Sequence, residues 1–556
     1  MHRRFGGLVF VAHIAAVVAV ACGGAAAPTP TRTPAPATAT STPIVARGPS
    51  PTPGAGAGAV PTAVPTPTRI ASRTHGRVVI ADGRYADFDS DITRFRSGNK
   101  RALILSINDT LVARNEEAKW HGVLAESWTA APDKWVYKIK QGVKFHDGTT
   151  MKASDIKFTL DRQMVEPFYV YRGELTASIS RVETPDDSTL IIHTKQPYPA
   201  WFYRAEVGSA ALPEAYYTRV GQAEYAKKPI GVGAFKFVSL DRDVRTVLTA
   251  FDDYHLGAPQ VRDLVLLPVK EPSTRLAMLK TGEADMIDIT GPQSLSLKDD
   301  PNYRVLVSPF GGTVGIKFWD FLDNDPTKPI MNLKVRQAFA YAIDRQAIAD
   351  KIYFGYATPA GGVYNPAMVG HNPDLKPYPY DPAKARRLLT EAGFGNGFDI
   401  EYWTGTGDQT LVQGFQGLLK EVGINVKITI LEESQSTVYL AQKKYRGLTS
   451  GGGSGAGPFP DAEQVLWLYY LKIGTWGAWQ DDKAVQMYER VHVEMDMDTR
   501  IRLLRETEAY MYQELPSVPV VHTHTLYAAN KKIDYKPTPG TAFIDPLRRL
   551  GWMPGY

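Results

Sequence analysis

Two short motifs in this sequence contain residues of types that can do chemistry. His146-Asp147 has the composition of an acid–base pair, and His522-Thr523-His524 would place two imidazoles on one face of a strand, where they could chelate a metal ion. No motif brings a serine or cysteine nucleophile beside His146, and no third ligand accompanies the other two histidines. We therefore interpret His146-Asp147 as a strand end and turn, in which the aspartate bonds its own backbone. The paired histidines are interpreted as packed or surface residues, so the sequence predicts no metal site.

Other catalytic motifs are incomplete. His492-Val493-Glu494 has the HxE of zinc deaminases, but a chain with one cysteine cannot supply the accompanying PCxxC. Gly452-Gly453-Ser454-Gly455-Ala456 is close to the GxSxG nucleophile elbow but ends in alanine, and we interpret it as a flexible ligand-binding loop. The sequence contains no Gly-Lys dipeptide and therefore no Walker A loop. These patterns predict a protein that is not an enzyme and has no cofactor.

The segment Leu124–Arg162 predicts two strands and a helix. Residues 135–140 alternate between unlike faces with the period of two that is typical of a strand. Val143–His146 is long enough for a return strand between two glycine turns. Ser154 is the predicted N-cap of a helix in which Ile156 and Leu160 share a face.

Further along, the pattern alternates between helices and strands. Asn332–Ile352 predicts one amphipathic helix. Phe398–Trp403, Gln409–Val422 and Ile424–Leu431 predict a strand, a helix and a strand, which is a parallel crossover unit of an α/β domain. Val518–Thr523 predicts a late strand that follows a final helix. The fold class is therefore α/β.

Length and charge narrow the possible functions. The chain has 556 residues, of which 44% are hydrophobic and 22% charged, and this length exceeds the size at which one core stops growing. Two or more domains are expected. The net charge of +5 is small for the length, and no polybasic tract is present, so we do not expect nucleic acid as a partner.

The N-terminus has the form of an export signal. Met1–Cys22 has a basic start, an apolar run and small residues before Cys22, and Ala19-Val20-Ala21-Cys22 resembles a bacterial lipobox. In lipoproteins this cysteine is lipidated. Gly23–Thr74 consists mainly of Ala, Pro, Thr, Gly and Ser and predicts a disordered, semi-stiff tether. The alternative is an ordinary secreted protein that is cleaved at an Ala-x-Ala site and has an incidental cysteine.

Several motifs together resemble one protein family. LAESWTAAPDKWVYKIKQGVKFHDGTTMKASDIKFTLDR, PIGVGAF, EPSTRLAMLKTGEADMIDI and VRQAFAYAIDR occur here in the order of the family 5 solute-binding proteins, the dipeptide-, oligopeptide- and nickel-binding components of ABC importers. The resemblance implies a two-lobed periplasmic-binding-protein type II-like fold with an extra small subdomain in the first lobe. The implied boundaries are a signal peptide at 1–21, a tether at 22–74, lobe I at 75–315 and 516–556 with its subdomain at roughly 118–228, and lobe II at 316–515.

The resemblance also implies a function. Such a protein is a monomer that is anchored through Cys22 on the outer side of a bacterial cell membrane. It captures a peptide-like or other small organic solute between its lobes and delivers it to ABC permease subunits that work with separate ATPase subunits. The implied ligand-binding residues are Tyr85, Phe88, Trp403, Thr404, Ser454, Ala456, Phe459, Asp461, Trp467 and Trp479, with Trp476 as a further cavity candidate.

One departure from the family concerns the ligand. Peptide binders of this family carry an acidic residue that pairs with the peptide ammonium, and the matching position here is Ala456. A shifted alignment would bring Asp461 forward instead. A neutral ligand, such as an oligosaccharide or a blocked peptide, or a metal chelate is therefore an alternative to a free-amine peptide. A tethered hydrolase and a non-transport envelope lipoprotein are the alternatives from other functional classes.

Overall fold

The computed structural model describes residues 74–83, 91–94, 101–115, 117, 119–167, 169, 171–451, 461–540 and 547–556. None of the helices in these ranges is long and apolar enough to cross a membrane. Several residues with predicted roles lie outside the described part of the chain: Cys22 with the leader and nearly all of the tether, Tyr85, Phe88, Ser454, Ala456 and Phe459.

Strands of very different length occur throughout the described ranges. In chain order they are β1 (His75–Ala81), β2 (Val112–Arg114), β3 (Trp120–Gly122), β4 (Ala125–Ala131), β5 (Lys134–Ile139), β6 (Ile179–Asp186), β7 (Thr189–Thr194), β8 (Phe235–Asp241), β9 (Arg245–Ala250), β10 (Val261–Leu267), β11 (Met286–Asp288), β12 (Tyr303–Phe318), β13 (Ala357–Pro359), β14 (Phe398–Gly405), β15 (Ile424–Leu431), β16 (Leu448–Ser450), β17 (Ser517–Asn530), β18 (Ile533–Asp534) and β19 (Gly551–Trp552).

Helices lie between many of these strands. In chain order they are α1 (Arg101–Ile107), α2 (Ala153–Val165), α3 (Arg172–Ser178), α4 (Trp201–Gly208), α5 (Glu214–Val220), α6 (Gln222–Lys227), α7 (Pro272–Thr281), α8 (Gly291–Leu295), α9 (Leu333–Ala342), α10 (Arg345–Lys351), α11 (Pro382–Glu391), α12 (Gln409–Glu421), α13 (Glu433–Ala441), α14 (Ala462–Val465), α15 (Asp482–Val493) and α16 (Met497–Glu514).

The largest sheet is mixed and has eleven strands in the described ranges. Its order is β15-β14-β16-β12-β17-β11-β1-β10-β9-β8, and β13 pairs with β17. The long strands β12 and β17 lie side by side at its middle, antiparallel from Tyr303 opposite Asn530 to Lys317 opposite Ser517. A second sheet has the order β4-β5-β7-β6.

The predicted crossover unit is confirmed. β14 pairs with β15 in parallel from Phe398–Ile424 to Gly405–Leu431, and α12 connects them. The apolar face of α12 is buried, as its period of 3.6 residues requires: Leu411, Val412, Phe415 and Leu419. Gly423 ends the connection with φ of 93°, which glycine adopts without a Cβ clash. This unit fixes where the carboxyl end of β14 lies.

Buried apolar residues form separate clusters. One cluster runs from Ile92 to Val232 and covers the four-stranded sheet. Another runs from Ile316 to Val521 and covers the part of the large sheet that contains β14, β15 and β16. Two further clusters pack against β1, β10 and β11.

Three local predictions are wrong. The helix predicted over Asn332–Ile352 is two helices, because Asp344 turns out of the helix and its side chain accepts from the Ala347 N–H at 2.9 Å to cap α10. Val143–His146 does not form the predicted return strand beside β5, because β5 pairs with β4 on one side and β7 on the other. α2 begins one residue before Ser154, and Lys152 is its N-cap.

Candidate functional site

A cavity of about 220 Å³ lies at the ends of β14 and β16 and is called the cavity beside β14. The pairing of three neighbouring strands places Trp403 of β14 opposite Thr449 of β16, and Thr449 opposite Lys317 of β12. Residues paired across strands share a face of the sheet. These three side chains therefore form a row along one wall, and the other walls carry mainly aromatic and hydroxyl side chains: Trp319, Thr404, Ser436, Tyr445, Ser450, Tyr469 and Tyr470.

Lys317 is the charged residue in this row. Lys317 is 6% exposed, and its Nζ lies 4.0 Å from the centre of the Trp319 ring. The Nζ donates to the Trp476 carbonyl oxygen. Among the described residues, no carboxylate forms an ion pair with it. Burial, with a smaller contribution from the charge of Lys443, lowers the pKa of Lys317 to about 7.

The indole ring of Trp403 lines the same cavity. Its Nε1 is buried and has no hydrogen-bond partner among the described residues, which is unusual because buried polar groups are nearly always bonded. The indole ring packs against Tyr439, with ring centres 5.7 Å apart. Thr404, the next residue, is buried and also lines the cavity. These two are the predicted site residues that the structure brings together.

Thr449 and Asp408 complete the polar surface of the cavity. The Trp319 Nε1 donates to the Thr449 Oγ1 at 2.9 Å, so the threonine hydroxyl hydrogen is free to point elsewhere. Asp408 lies at the solvent-exposed rim, and no described residue forms an ion pair with it.

Sequence reasoning missed Lys317, Thr449 and Asp408. A signal for Lys317 was present, because it stands between Ile316 and Phe318 and is the one charged residue in the run 305–318. A charged residue in a central strand needs a partner or a function.

Asp461 lies in a buried ion cluster instead. It is 1% exposed, its Oδ1 accepts from the Glu463 N–H at 2.8 Å, and its Oδ2 accepts from the Arg500 Nη2 at 3.0 Å. Arg500 also pairs with the Glu463 carboxylate, which accepts from His492 Nδ1 at 2.6 Å. Both carboxylate oxygens of Asp461 are therefore already bonded within the protein.

The remaining predicted tryptophans lie near the cavity but do not line it. Trp479 is buried against Tyr510, with ring centres 6.0 Å apart. Trp467 is half-buried and is not a lining residue. Trp476 packs on Tyr469, with ring centres 5.0 Å apart, and contributes its carbonyl to Lys317.

The two histidine motifs have structural contacts. His146 Nε2 lies 2.9 Å from the Gly233 carbonyl oxygen, and burial lowers the pKa of His146 to about 4. Asp147 accepts from the Thr149 N–H at 3.0 Å, which is the turn that the sequence predicted. His522 Nδ1 lies 3.0 Å from the Thr313 hydroxyl. No group of three or more His, Cys, Asp or Glu in the described ranges could hold a metal ion.

The fold defines a class of protein. It matches the periplasmic binding protein DppA of Helicobacter pylori, solved with the peptide STSA, at TM-score 0.71 and 22% identity over 86% of this chain and 98% of that chain. It also matches the oligopeptide-binding protein AppA of Bacillus subtilis, solved with a nonapeptide, at TM-score 0.71 and 20% identity over 86% and 99% of the two chains. These likenesses confirm the predicted two-lobed binding-protein fold.

Sequence comparison then gives the family. Residues 119–476 match the bacterial extracellular solute-binding proteins, family 5, middle region. The glutathione-binding protein GsiB of Escherichia coli O1:K1 is 30% identical over 465 residues, which are 80% of this chain and 89% of the relative. The chain therefore belongs to the family 5 bacterial extracellular solute-binding proteins, as its motifs predicted. Like these relatives, it is a binding protein and not an enzyme.

Proposed function

We propose that this protein is the lipid-anchored substrate-binding component of an ABC importer, and that it captures a peptide-like or other small organic solute between its two lobes. The observation that carries the proposal is the cavity beside β14. It is walled by aromatic rings, and two of its lining residues carry buried polar groups with few or no partners in the described chain, the Lys317 ammonium and the Trp403 N–H. Binding sites combine apolar walls with a few such groups.

Relatives narrow the chemical class of the solute. GsiB is named for glutathione, and the DppA and AppA structures hold peptides. A peptide-like solute suits the cavity because aromatic walls bury side chains and the N–H groups bind carbonyl or carboxylate oxygens. At about 220 Å³ the cavity is smaller than a typical ligand pocket, so we propose that it holds one end of the solute.

Trp403 and Thr404 are the proposed solute contacts on the lobe II side. We propose that Asp461 supports the preceding loop and does not meet the solute, because its two oxygens are bonded to Glu463 and Arg500. We propose no solute contact for Trp467 or Trp479, because neither lines the cavity. Roles for Tyr85, Phe88, Ser454, Ala456 and Phe459 stay predictions.

The proposed division into lobes follows the apolar clusters. The cluster from Ile316 to Val521 supports a second lobe near residues 316–515. The cluster from Ile92 to Val232 supports a small subdomain within the first lobe. Closure of the lobes on a solute would give the permease a state to recognise.

Mass spectrometry of the solute that co-purifies with the native protein tests the solute class directly. We expect peptide-like molecules, and small-angle scattering with that solute should show a smaller radius of gyration than without it. Chemical conversion of the solute by stoichiometric protein, or identical scattering curves, would contradict the proposal.

The anchor needs its own test. Cys22→Ser removes the only cysteine of the chain. If Cys22 is lipidated, the variant moves from the membrane fraction to the soluble fraction, because stable anchoring requires the acyl chains. A variant that stays with the membrane as fully as wild type would contradict lipidation.

A further inference from the structure

We propose that Lys317 binds a carboxylate group of the solute inside the cavity beside β14. This inference rests on the proposed function, since it assigns one chemical group of the captured solute to one side chain. It follows from the position of Lys317, the few contacts that its ammonium makes, and the donors that surround the same space.

The position of Lys317 is fixed by the sheet. β12 is a central strand, and pairing with β16 and β17 on its two sides holds the backbone of Lys317 in place. Its side chain shares a face with Thr449 and Trp403, so it reaches the cavity and not bulk solvent. A lysine that served only solubility would lie on an exposed face.

The ammonium has capacity for more bonds than the described residues supply. A lysine ammonium has three N–H donors, and here it donates to the Trp476 carbonyl and lies over the Trp319 ring. Arg336, another buried cation, shows what a structural role looks like. It donates to the carbonyl oxygens of Glu514 and Ile330, at 2.9 Å each, and also pairs with the Glu514 carboxylate at 3.8 Å.

The charges near the cavity are on balance positive, because Lys317 and Lys443 are cations and Asp408, at the exposed rim, is the one carboxylate among the described lining residues. Lys443 adds positive potential and has no carboxylate partner among the described residues; its Nζ donates to the carbonyl oxygens of Lys472 and Gly474 at 2.7 Å each. An anion bound beside Lys317 would restore the charge balance that burial of the lysine upsets.

Neutral donors surround the same space. Trp403 Nε1 has no partner in the described chain, and the Thr449 hydroxyl can donate because its oxygen accepts from Trp319. A carboxylate accepts up to about four hydrogen bonds. An ammonium and a hydroxyl along one wall, next to the unbonded N–H of the Trp403 ring, therefore suit a carboxylate better than a neutral amide, whose N–H₂ would meet further donors.

The test compares solutes that differ only in this group. The full-length protein, freed of bound solute, is offered two pools, and the retained molecules are identified by mass spectrometry. The first pool contains di- to pentapeptides, each as the free acid and as the C-terminal amide. The second contains mono- and dicarboxylic acids, each with its primary amide. Wild type is expected to retain free acids at least tenfold over amides.

Lys317→Met removes the charge and keeps most of the side-chain length, so the preference for acids should fall to less than twofold. Lys317→Gln keeps a donor for the Trp476 carbonyl without the charge, and it should lose the preference equally. Lys444→Met is the matched control. It removes one positive charge from an exposed lysine in the same region and should behave as wild type.

The outcomes separate the two proposals. If wild type retains peptides but Lys317→Met keeps the preference for acids, the carboxylate inference is wrong and the proposed function stands. If wild type retains no peptide, the proposed peptide-like solute is wrong, and the second pool decides the inference alone. A preference for carboxylic acids that Lys317→Met abolishes then supports it, and any other result overturns it.

Discussion

Charged side chains are buried in two parts of the same apolar cluster, and the two parts differ in how many partners they supply. Around Arg500, each charge meets an opposite one: Asp461 and Glu463 bind the guanidinium, and His492 binds Glu463. Around Lys317, the described residues supply one carbonyl and one aromatic face. Every buried charge around Arg500 therefore has an oppositely charged partner, and Lys317 has none among the described residues.

This difference is the one expected between a charge that serves the fold and a charge that is kept for binding. A buried charge without a partner is destabilising, so folding alone gives no reason to keep it. Stability and binding can conflict at the same residue, and sites that bind are where such a conflict is retained. The comparison therefore predicts opposite effects on stability when each cation is replaced by an apolar residue.

The largest expected effect is at the complete cluster. Arg500→Met would leave Asp461 and Glu463 buried without their cation, and we expect a loss of about 3–5 kcal/mol in the free energy of unfolding at pH 7. Urea denaturation followed by circular dichroism measures it. Arg502→Met is the control, because Arg502 forms an exposed pair with Glu506 and should cost under about 1 kcal/mol. If Arg500→Met lowered the free energy of unfolding by no more than Arg502→Met does, the proposed difference between the two buried cations would be wrong.

Replacement of Lys317 should change the free energy of unfolding in the opposite direction. Lys317→Met removes a buried cation that has no carboxylate partner in the described chain, so we expect solute-free protein at pH 6 to become more stable by about 1–3 kcal/mol. The same urea experiment measures this gain. A loss of stability would mean that Lys317 has a structural role like that of Arg500.

Sequence predicted the fold where local patterns and tertiary packing agree. The β14–α12–β15 unit was predicted because α12 shows one apolar stripe and glycine ends it. The single helix over Asn332–Ile352 was not correct, because Asp344 caps a new helix inside an apolar pattern that continues across the break. Periodicity reports buried faces and does not report where the backbone turns.

Sequence predicted less of the candidate site. Trp403 and Thr404 came from the family resemblance, and both line the cavity. The partner of Asp461 is Arg500, 39 residues away, and no local pattern connects them. The charge of Lys317 is unusual in its apolar surroundings, but its burial becomes evident only when β16 and β17 are placed on either side of it. Burial and pairing depend on the sheet order, which the sequence alone does not give.

A change of pH sharpens the comparison through Lys317. Its pKa of about 7 means that the amine is cationic below pH 7 and increasingly neutral above it, whereas a peptide carboxylate stays ionised above about pH 5. The affinity for a retained free-acid peptide should be constant below about pH 6 and should fall by up to tenfold per pH unit above pH 7.

Calorimetry in buffers of different ionisation enthalpy measures how many protons the protein takes up when the peptide binds. Near pH 8 the protein should take up a proton on binding, and near pH 6 it should not. The other titratable groups to consider are Lys443 and, along the cavity, Asp408, Tyr445, Tyr469 and Tyr470. If Lys317→Met keeps the wild-type pH profile, one of those groups is responsible instead.

The smallest expected effect is the pH dependence of the complete cluster at His492. The hydrogen bond and charge of Glu463 raise the pKa of His492, against burial and the opposing charge of Arg500. The charge of Glu174 also raises it, and the Tyr488 hydroxyl lies 3.4 Å from the His492 Nδ1. Because the folded pKa is the higher one, the stabilisation is fully present below the unfolded pKa of about 6.5 and is lost as pH rises through the folded pKa. His492→Gln should therefore lower the free energy of unfolding by an amount on the order of 1 kcal/mol more at pH 5.5 than at pH 8.5.

His146→Gln is a control of opposite sign for this pH dependence. Burial lowers the pKa of His146 to about 4. Because the folded pKa is the lower one, the unfolded state binds the proton first, and wild type loses stability as pH falls below about 6.5. Urea denaturation of both variants and wild type across this range measures the two effects. A difference for His492→Gln that does not change with pH would show that the Glu463 pair does not titrate as the contacts require.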